Sequence, residues 1–302
     1  MSRAGRLGAG ARAESRAAWW MLAPALAAMA AFFVVPVASG FVLSLTDFDV
    51  YAIADPRNAR FVGLANYAAV FAHPDFWTAL VNSLVLVFVG GPLTIALSLG
   101  GAMLVHHRLT RLRGVWRTAF FAPVVTTLVA VAVVWRYLYH PRFGLLNAAL
   151  GSLGLPTPDW LGDPRWALPA IILLAAWRSF GYGLVIFVAG LSSIPASVYE
   201  AASLDGAGAW QQFRRITLPL LAPTVFFVAV VTTVGLFQTF AEPYVMTRGG
   251  PARATVTIAL LMYEQGFRWW RMGLASAIAF ILFGLILAVS GVERLVARGR
   301  SR

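Results

Sequence analysis

Long uncharged runs separated by short polar stretches set the pattern of this 302-residue chain. Ala17 to Thr46 and Phe76 to Val105 carry no charge, and each exceeds the roughly 20 residues that a helix needs to cross a bilayer. Thr118 to Trp135 is a third such run. Trp166 to Trp177 and Ser179 to Tyr199 form a fourth, interrupted by Arg178, and Ile216 to Ala241 and Met272 to Val292 supply the fifth and sixth. The expected architecture is an all-α membrane protein, a polytopic bundle of about six transmembrane helices at 19–45, 76–105, 118–135, 166–192, 218–241 and 272–292. Gly90, Gly91 and Pro92 mark a candidate break in the second span.

The first run follows Arg3, Arg6, Arg12 and Arg16, and with Ala25-Leu26-Ala27 it has some features of a cleaved signal peptide. It is far longer than the roughly 7 to 15 apolar residues of a signal core. It therefore reads as an uncleaved first span, with Trp19 and Trp20 at the cytoplasmic interface. Residues 1–16 are expected to be a disordered basic tail, 17–292 the membrane domain and 293–302 a second basic tail.

The longest polar interruption after the third span lies between Ser192 and Pro223, and local chemistry predicts helix, turn, helix. Ser197 followed by Glu200 has the spacing of a capping box. Gly206 sits where a helix ending near Asp205 needs a left-handed residue. A second helix is expected from about Ala207, with Trp210, Phe213 and Thr217 on one stripe, and Pro219 and Pro223 mark a bend on entry to the bilayer.

Composition narrows the class. The chain is 60% hydrophobic and 12% charged, against about a quarter charged in soluble domains. There is no cysteine, which excludes disulfides and thiolate chemistry. The net charge of +12 comes entirely from arginines clustered at the ends of apolar runs, a pattern of membrane topology rather than of nucleic-acid binding. Without lysine, no Gly-x-x-x-x-Gly-Lys phosphate loop exists, so ATP hydrolysis by that route is excluded. One side of the bundle collects 14 arginines against Glu14, Glu200, Asp205 and Glu293, and the other 9 against eight acids. The positive-inside bias then places both termini and the Glu200 loop in the cytoplasm.

Glu200-Ala201-Ala202, Gly206, Ile216 and Leu218-Pro219 reproduce without a gap the EAA loop of the permease subunits of bacterial binding-protein-dependent ATP-driven importers, and the chain resembles that family. Phe61 to Tyr67, Trp160-Leu161-Gly162, Gly190 to Pro195 and Thr247-Arg248-Gly249-Gly250-Pro251 are similar to its carbohydrate-uptake branch, the maltose, glycerol-3-phosphate and multiple-sugar type. The resemblance implies a bacterial inner-membrane subunit that is not an enzyme and binds no cofactor, with ATP and Mg held by two separate ATPase subunits. It further implies a second permease of different sequence, an external solute-binding protein, and a sugar, oligosaccharide or polyol as cargo. Residues 193–217 would form the cytoplasmic coupling loop, with Glu200, Ala201, Ala202, Asp205, Gly206, Ala207, Ile216, Leu218 and Pro219 as its ATPase-coupling positions.

Arg178 is the one charge inside a predicted span. Counting back from Ile194 at about 1.5 Å per residue puts it near the outer edge of a core about 30 Å thick, which favours snorkelling to the external interface over lining a vestibule. Gln238, Glu242 and Tyr244, at the external end of the fifth span, join it as substrate-path candidates. An ion-coupled secondary transporter or channel is the alternative, but no predicted span has an acid at mid-depth. A membrane-embedded enzyme is disfavoured because His73, His106, His107 and His140 are scattered over loops without paired carboxylates, in no metal-ligand spacing.

Overall fold

Apolar runs of this length must satisfy their own amides once water is excluded, and helices do so. The computed structural model describes residues 3–106 and 113–300. Helix α1 runs from Arg3 to Ser44, its spanning part Glu14–Ser44, and α2 is Pro74–His106. The third crossing is a bent pair, α3 (Arg113–Val125) and α4 (Leu128–Leu138), meeting at 100°. Then come α5 (Pro164–Ser192) and the short α6 (Ala196–Leu204). The fifth crossing is again bent, α7 (Ala209–Leu220) meeting α8 (Ala222–Phe237) at 68°. Short helices α9 (Ala241–Met246) and α10 (Ile258–Tyr263) precede α11 (Met272–Arg300). Four continuous helices are long and apolar enough to cross a membrane, and counting each bent pair as one span gives up to six crossings among the described residues.

Several sequence expectations change. The stretch expected to be a disordered tail up to Arg16 is helical from Arg3, and the 293–302 tail is helical to Arg300. Most of the basic loop after His106, residues 107–112, lies outside the described residues. The third span is not continuous: Pro123 is followed by Val124, Val125, Thr126 and Thr127, four β-branched residues that favour extended backbone, and Thr127 adopts it. Arg178 does not interrupt the fourth span, since α5 passes through it unbroken.

Nor do Gly90, Gly91 and Pro92 break α2. A wide π turn, Leu86–Gly90, ends two residues before Pro92. The same device, Ala30–Val34 and Phe213–Thr217, precedes Pro36 and Pro219. A proline ring strikes the carbonyl four residues back and leaves it without a donor. In each case that residue (Phe32, Phe88 or Arg215) sits inside the widened turn, which relieves the clash without ending the helix.

Helix α5 occupies the centre of the bundle. It runs parallel to α2, with Gly90 against Ile172, Ser98 Oγ donating to the Phe180 carbonyl at 2.8 Å and Gly101 against Leu184. A Cβ on Gly181 would strike the Phe120 carbonyl of α3, one on Gly183 would lie 2.6 Å from Ser98 Oγ, and one on Gly190 would lie 2.9 Å from Leu221 and Thr224. Missing side chains thus let α5 approach three neighbours closely, the usual means of packing helices in lipid. By contrast α1 touches mainly α11, as at the Phe41–Phe280 edge contact of 5.3 Å, and leaves Trp19, Trp20, Phe32 and Phe33 exposed. Asn66 anchors its far end by donating to the carbonyls of Ser44 and Thr46 at 2.9 and 2.7 Å.

The segment from Glu242 to Arg271, which the sequence presents as a mixed loop, folds back into the bundle. Ile258, Leu260 and Leu261 of α10 are fully buried. Asn82 donates to Val256 O at 2.9 Å, Ser83 Oγ accepts from Ile258 N at 3.0 Å, and Thr257 Oγ1 donates to Thr239 O at 2.7 Å.

Replacing Gly181 by Val is expected to destabilise the bundle by about 1–3 kcal/mol through overpacking against backbone that cannot yield. Gly235→Ala, where nothing lies within 4 Å, should be neutral. Monodispersity and thermal unfolding of the detergent-purified variants test this; equal behaviour of the two would refute the close-packing account.

Candidate functional site

Two features stand apart from lipid-facing packing. The first is the exposed turn between α5 and α8. Pro195 occupies the N-cap of α6 without a side-chain hydrogen bond, so the expected Ser197–Glu200 capping box does not form. Proline's fixed backbone starts the helix at Ala196 and leaves Ser197 inside its first turn. At the other end the turn is as expected. Gly206 has φ +79°, its N–H donates to Ser203 O, and the Ala207 N–H donates to Ala202 O, the paired bonds of a Schellman ending.

Helix α6 buries none of its residues. Glu200, Ala201, Asp205, Gly206 and Leu204 are exposed, the last to 89%, while Ala202 and Ala207 are partly covered. Trp210 on α7 adds a second exposed apolar group. The turn is nevertheless held in shape. Gln212 Nε2 donates to Ser203 Oγ and to Ala207 O, both at 3.0 Å, the Gly208 N–H donates to Gln211 Oε1, and Tyr199 and Thr217 share a 3.0 Å hydroxyl contact. Ile216 and Leu218 turn partly inward on α7 and Pro219 stays exposed.

The second feature is a cavity of about 460 Å³ between α5, α8, α9 and the α3–α4 bend. Arg178, Tyr182, Thr232, Gln238, Thr239 and Glu242 supply its polar wall, with Val124 and Leu128 from the bend opposite. Arg178 stands at the midpoint of α5, about 20 Å from either end at 1.5 Å per residue. From this position Arg178 lines the cavity. Its Nη1 lies 3.7 Å from Oε1 of the buried Glu242, and its Nε is buried with no partner. An unpaired charge at this depth costs roughly 2.5–3.5 kcal/mol even on insertion scales, so each group keeps the other tolerable. Gln238 shares the cavity. Tyr244 does not line it, stacking instead on Phe240, which does, at 5.2 Å.

Sequence reasoning missed Tyr182, Thr232 and Thr239, because nothing in an apolar run marks which polar residue faces inward. An amide, hydroxyls, a phenol and a balanced ion pair can exchange hydrogen bonds with a polyhydroxylated molecule.

A bundle of apolar helices with a polar cavity beside the midpoint of α5 and a structured turn projecting from one end is the architecture of a membrane permease. Residues 98–302 match the binding-protein-dependent transport system inner membrane component family, and the chain belongs to it. It is 32% identical over 278 residues to the sulfoquinovosyl glycerol transport system permease protein SmoG of Agrobacterium fabrum, covering 92% of this chain and 89% of that one. It is also 32% identical over 288 residues to the lactose transport system permease protein LacF of Rhizobium radiobacter, covering 93% and 94%. Its fold matches the crystal structure of a bacterial ABC transporter involved in import of the acidic polysaccharide alginate, with a TM-score of 0.78 at 23% identity over 98% of this chain and 100% of that chain. The protein is an inner-membrane permease subunit of an ABC importer, and the ion-coupled alternative is not favoured.

Arg178→Gln and Glu242→Gln are each expected to lower uptake, with the double variant falling short of additivity by about 1 kcal/mol or more. Uptake normalised to membrane abundance gives the cycle. Strict additivity would mean that the two charges act independently.

Proposed function

We propose that this chain forms half of the translocation path for a sugar, oligosaccharide or polyol, and that α6 couples the path to a separate ATPase. The mid-depth cavity holding Arg178, Gln238 and Glu242 carries the cargo reading. The relatives named for sulfoquinovosyl glycerol and lactose transport support it. The chain performs no catalysis in this reading. ATP and Mg are bound by two partner ATPase subunits, a second permease of different sequence completes the path, and an external solute-binding protein delivers cargo.

The arginine distribution supports placing both termini and α6 in the cytoplasm. There α6 offers Leu204 between Glu200 and Asp205, an apolar anchor with two carboxylates at its rim, suited to a cleft on the ATPase. Ala201, Ala202 and Ala207 keep this face low, so that the helix can seat closely. The turn joins α5, which carries Arg178, to α7 and α8, beyond which lie Gln238 and Glu242. Movement of α6 with the ATPase therefore shifts the two walls of the cavity relative to each other. Ile216, Leu218 and Pro219 lie in the π-turned α7, where that movement enters the membrane.

Gly206→Asp and Gly206→Pro are expected to abolish ATP-driven uptake at unchanged membrane abundance, because φ +79° strains any L-residue there. Gly206→Ala has open space around its Cβ but is strained by the same φ, so it should be impaired as well. Uptake assays paired with co-purification of the ATPase test this, and normal uptake by the Asp and Pro variants would sink the coupling role. A ligand screen on the co-purified binding protein tests the cargo class separately.

A further inference from the structure

A second cavity, of about 400 Å³, opens at the end of the bundle away from α6. Its walls come from the first turn of α2, the loop before α10 and the segment between α10 and α11, through Asp75, Arg253, Glu264, Arg268, Trp269 and Arg271. Arg253 is already committed. Its Nη1 and Nη2 donate to the two Glu264 oxygens at 3.0 and 2.7 Å, and Nη2 also lies 3.0 Å from Asp75. These acids hold the Arg253 pKa above its ordinary value, Glu264 contributing most. Arg268 reaches Glu264 only at 4.0 Å and is largely exposed, and Arg271 has no side-chain ion pair among the described residues. Three guanidinium groups thus face two carboxylates, and the surplus positive charge rests on Arg268 and Arg271, which make no side-chain hydrogen bond among the described residues.

The level of this cavity matters as much as its charge. Asp75 lies in the first turn of one span, and Arg271 immediately precedes another, so the cavity lies where two spans leave the hydrocarbon. Trp269 lines it, Trp77, Phe267 and Trp270, near in sequence to Asp75, Arg268 and Arg271, are exposed, and the Arg268 guanidinium lies 5.5 Å from the Trp269 ring centre. Exposed tryptophans at the ends of spans mark the headgroup region. A polar concavity at that level, with surplus cationic donors and an aromatic rim, suits an anion attached to acyl chains.

We propose that this cavity binds the phosphodiester headgroup of a phospholipid in the leaflet facing away from α6, with Arg268 and Arg271 as its anion ligands and Trp269 and Trp270 packed beside the glycerol region. Arg253, locked by Glu264 and Asp75, shapes the floor and is not itself a ligand. The bound lipid would pin the start of α11 to the start of α2.

The test is native mass spectrometry of the chain purified in detergent with its co-purifying partners, stripped of lipid and titrated with phosphatidylglycerol, phosphatidylcholine, diacylglycerol of the same acyl chains, or inorganic phosphate. Both phospholipids are expected to be retained, phosphatidylglycerol more strongly, and diacylglycerol is not. Arg268→Gln with Arg271→Gln should weaken phosphatidylglycerol retention by roughly tenfold or more, whereas the paired Lys variant keeps most of it and Arg142→Gln changes nothing. Both arginines are exposed, so the folded state should survive, and an unchanged thermal transition checks it. Unchanged retention in the Gln double variant overturns the proposal. Displacement of the lipid by millimolar phosphate alone, or retention of diacylglycerol equal to that of phosphatidylglycerol, would overturn the phosphodiester assignment. If the double variant leaves lipid retention intact but weakens docking of the external binding protein, the surface belongs to that protein instead.

Discussion

The close approach of α5 to its neighbours is the constraint on which the rest of this structure depends. Lipid offers no hydrophobic drive for one helix to seek another, so association rests on contact area and a few hydrogen bonds. Helix α5 gains that area by omission. Gly181 lets the Phe120 carbonyl of α3 sit against it, Gly183 admits Ser98 of α2, and Gly190 admits Leu221 and Thr224 at the foot of α8. The Ser98 hydroxyl, shared between the Thr94 and Phe180 carbonyls, ties the α2 contact at the same level. One helix is thereby locked to three others at successive depths. Its midpoint carries Arg178, which sets where the polar cavity can exist.

Charges are placed in this fold under two different regimes. At mid-depth the Arg178–Glu242 contact is long at 3.7 Å, and the guanidinium keeps a buried, unpartnered Nε. Such a pair is weakly satisfied, and its retention is hard to explain as a source of stability, since a buried ion pair is often no better than apolar packing of the same volume. Incomplete satisfaction fits the proposed role of exchanging partners with passing cargo. At the far end, Arg253 is met by Glu264 with a bidentate fork and by Asp75 as well, the strong geometry for a guanidinium. That cluster fixes a loop in which Arg248, Ala252 and Arg253 all have positive φ, a conformation that needs outside restraint.

What was legible in the sequence follows from which physical signals are local. Six crossings could be counted because uncharged length is a local property, and the Gly206 turn because a left-handed position at a helix end selects glycine. The bend between α3 and α4 was obscured by its own hydrophobicity: Val124 to Thr127 break the helix without lowering the apolar character of the run. Helix α10 was hidden for the opposite reason, being too short to span and flanked by polar residues, although Asn82, Ser83 and Thr257 supply partners that draw it inward. The capping-box spacing at Ser197 was genuine, but Pro195 sets the helix start two residues earlier. The partner of Arg178 was not legible, because Glu242 meets it only through the packing of α9 against α5. Inward-facing polar residues such as Thr232 depend on the rotation of one helix against another, which no single run encodes.

In the proposed coupling, the bent geometry of the fifth crossing gives the turn around α6 a mechanical role. A straight, uninterrupted helix from Ala209 to Phe237 would carry α6 as a rigid extension of the membrane span, and any push on it would tilt the whole span. The 68° bend at Leu221 instead lets α7 lie across the end of the bundle, while the buried Leu221 side chain packs against Gly190 of α5. In that proposal the contact serves as a pivot. Force applied at α6 acts on α5 through Ser193 to Pro195 and on α8 through α7, and the two meet again at Gly190 and Leu221. Displacement below such a pivot changes the separation above it, where Arg178 on α5 faces Glu242 beyond α8. A contact already as long as 3.7 Å would give little resistance to that change, so in this proposal the lever is well placed to open it.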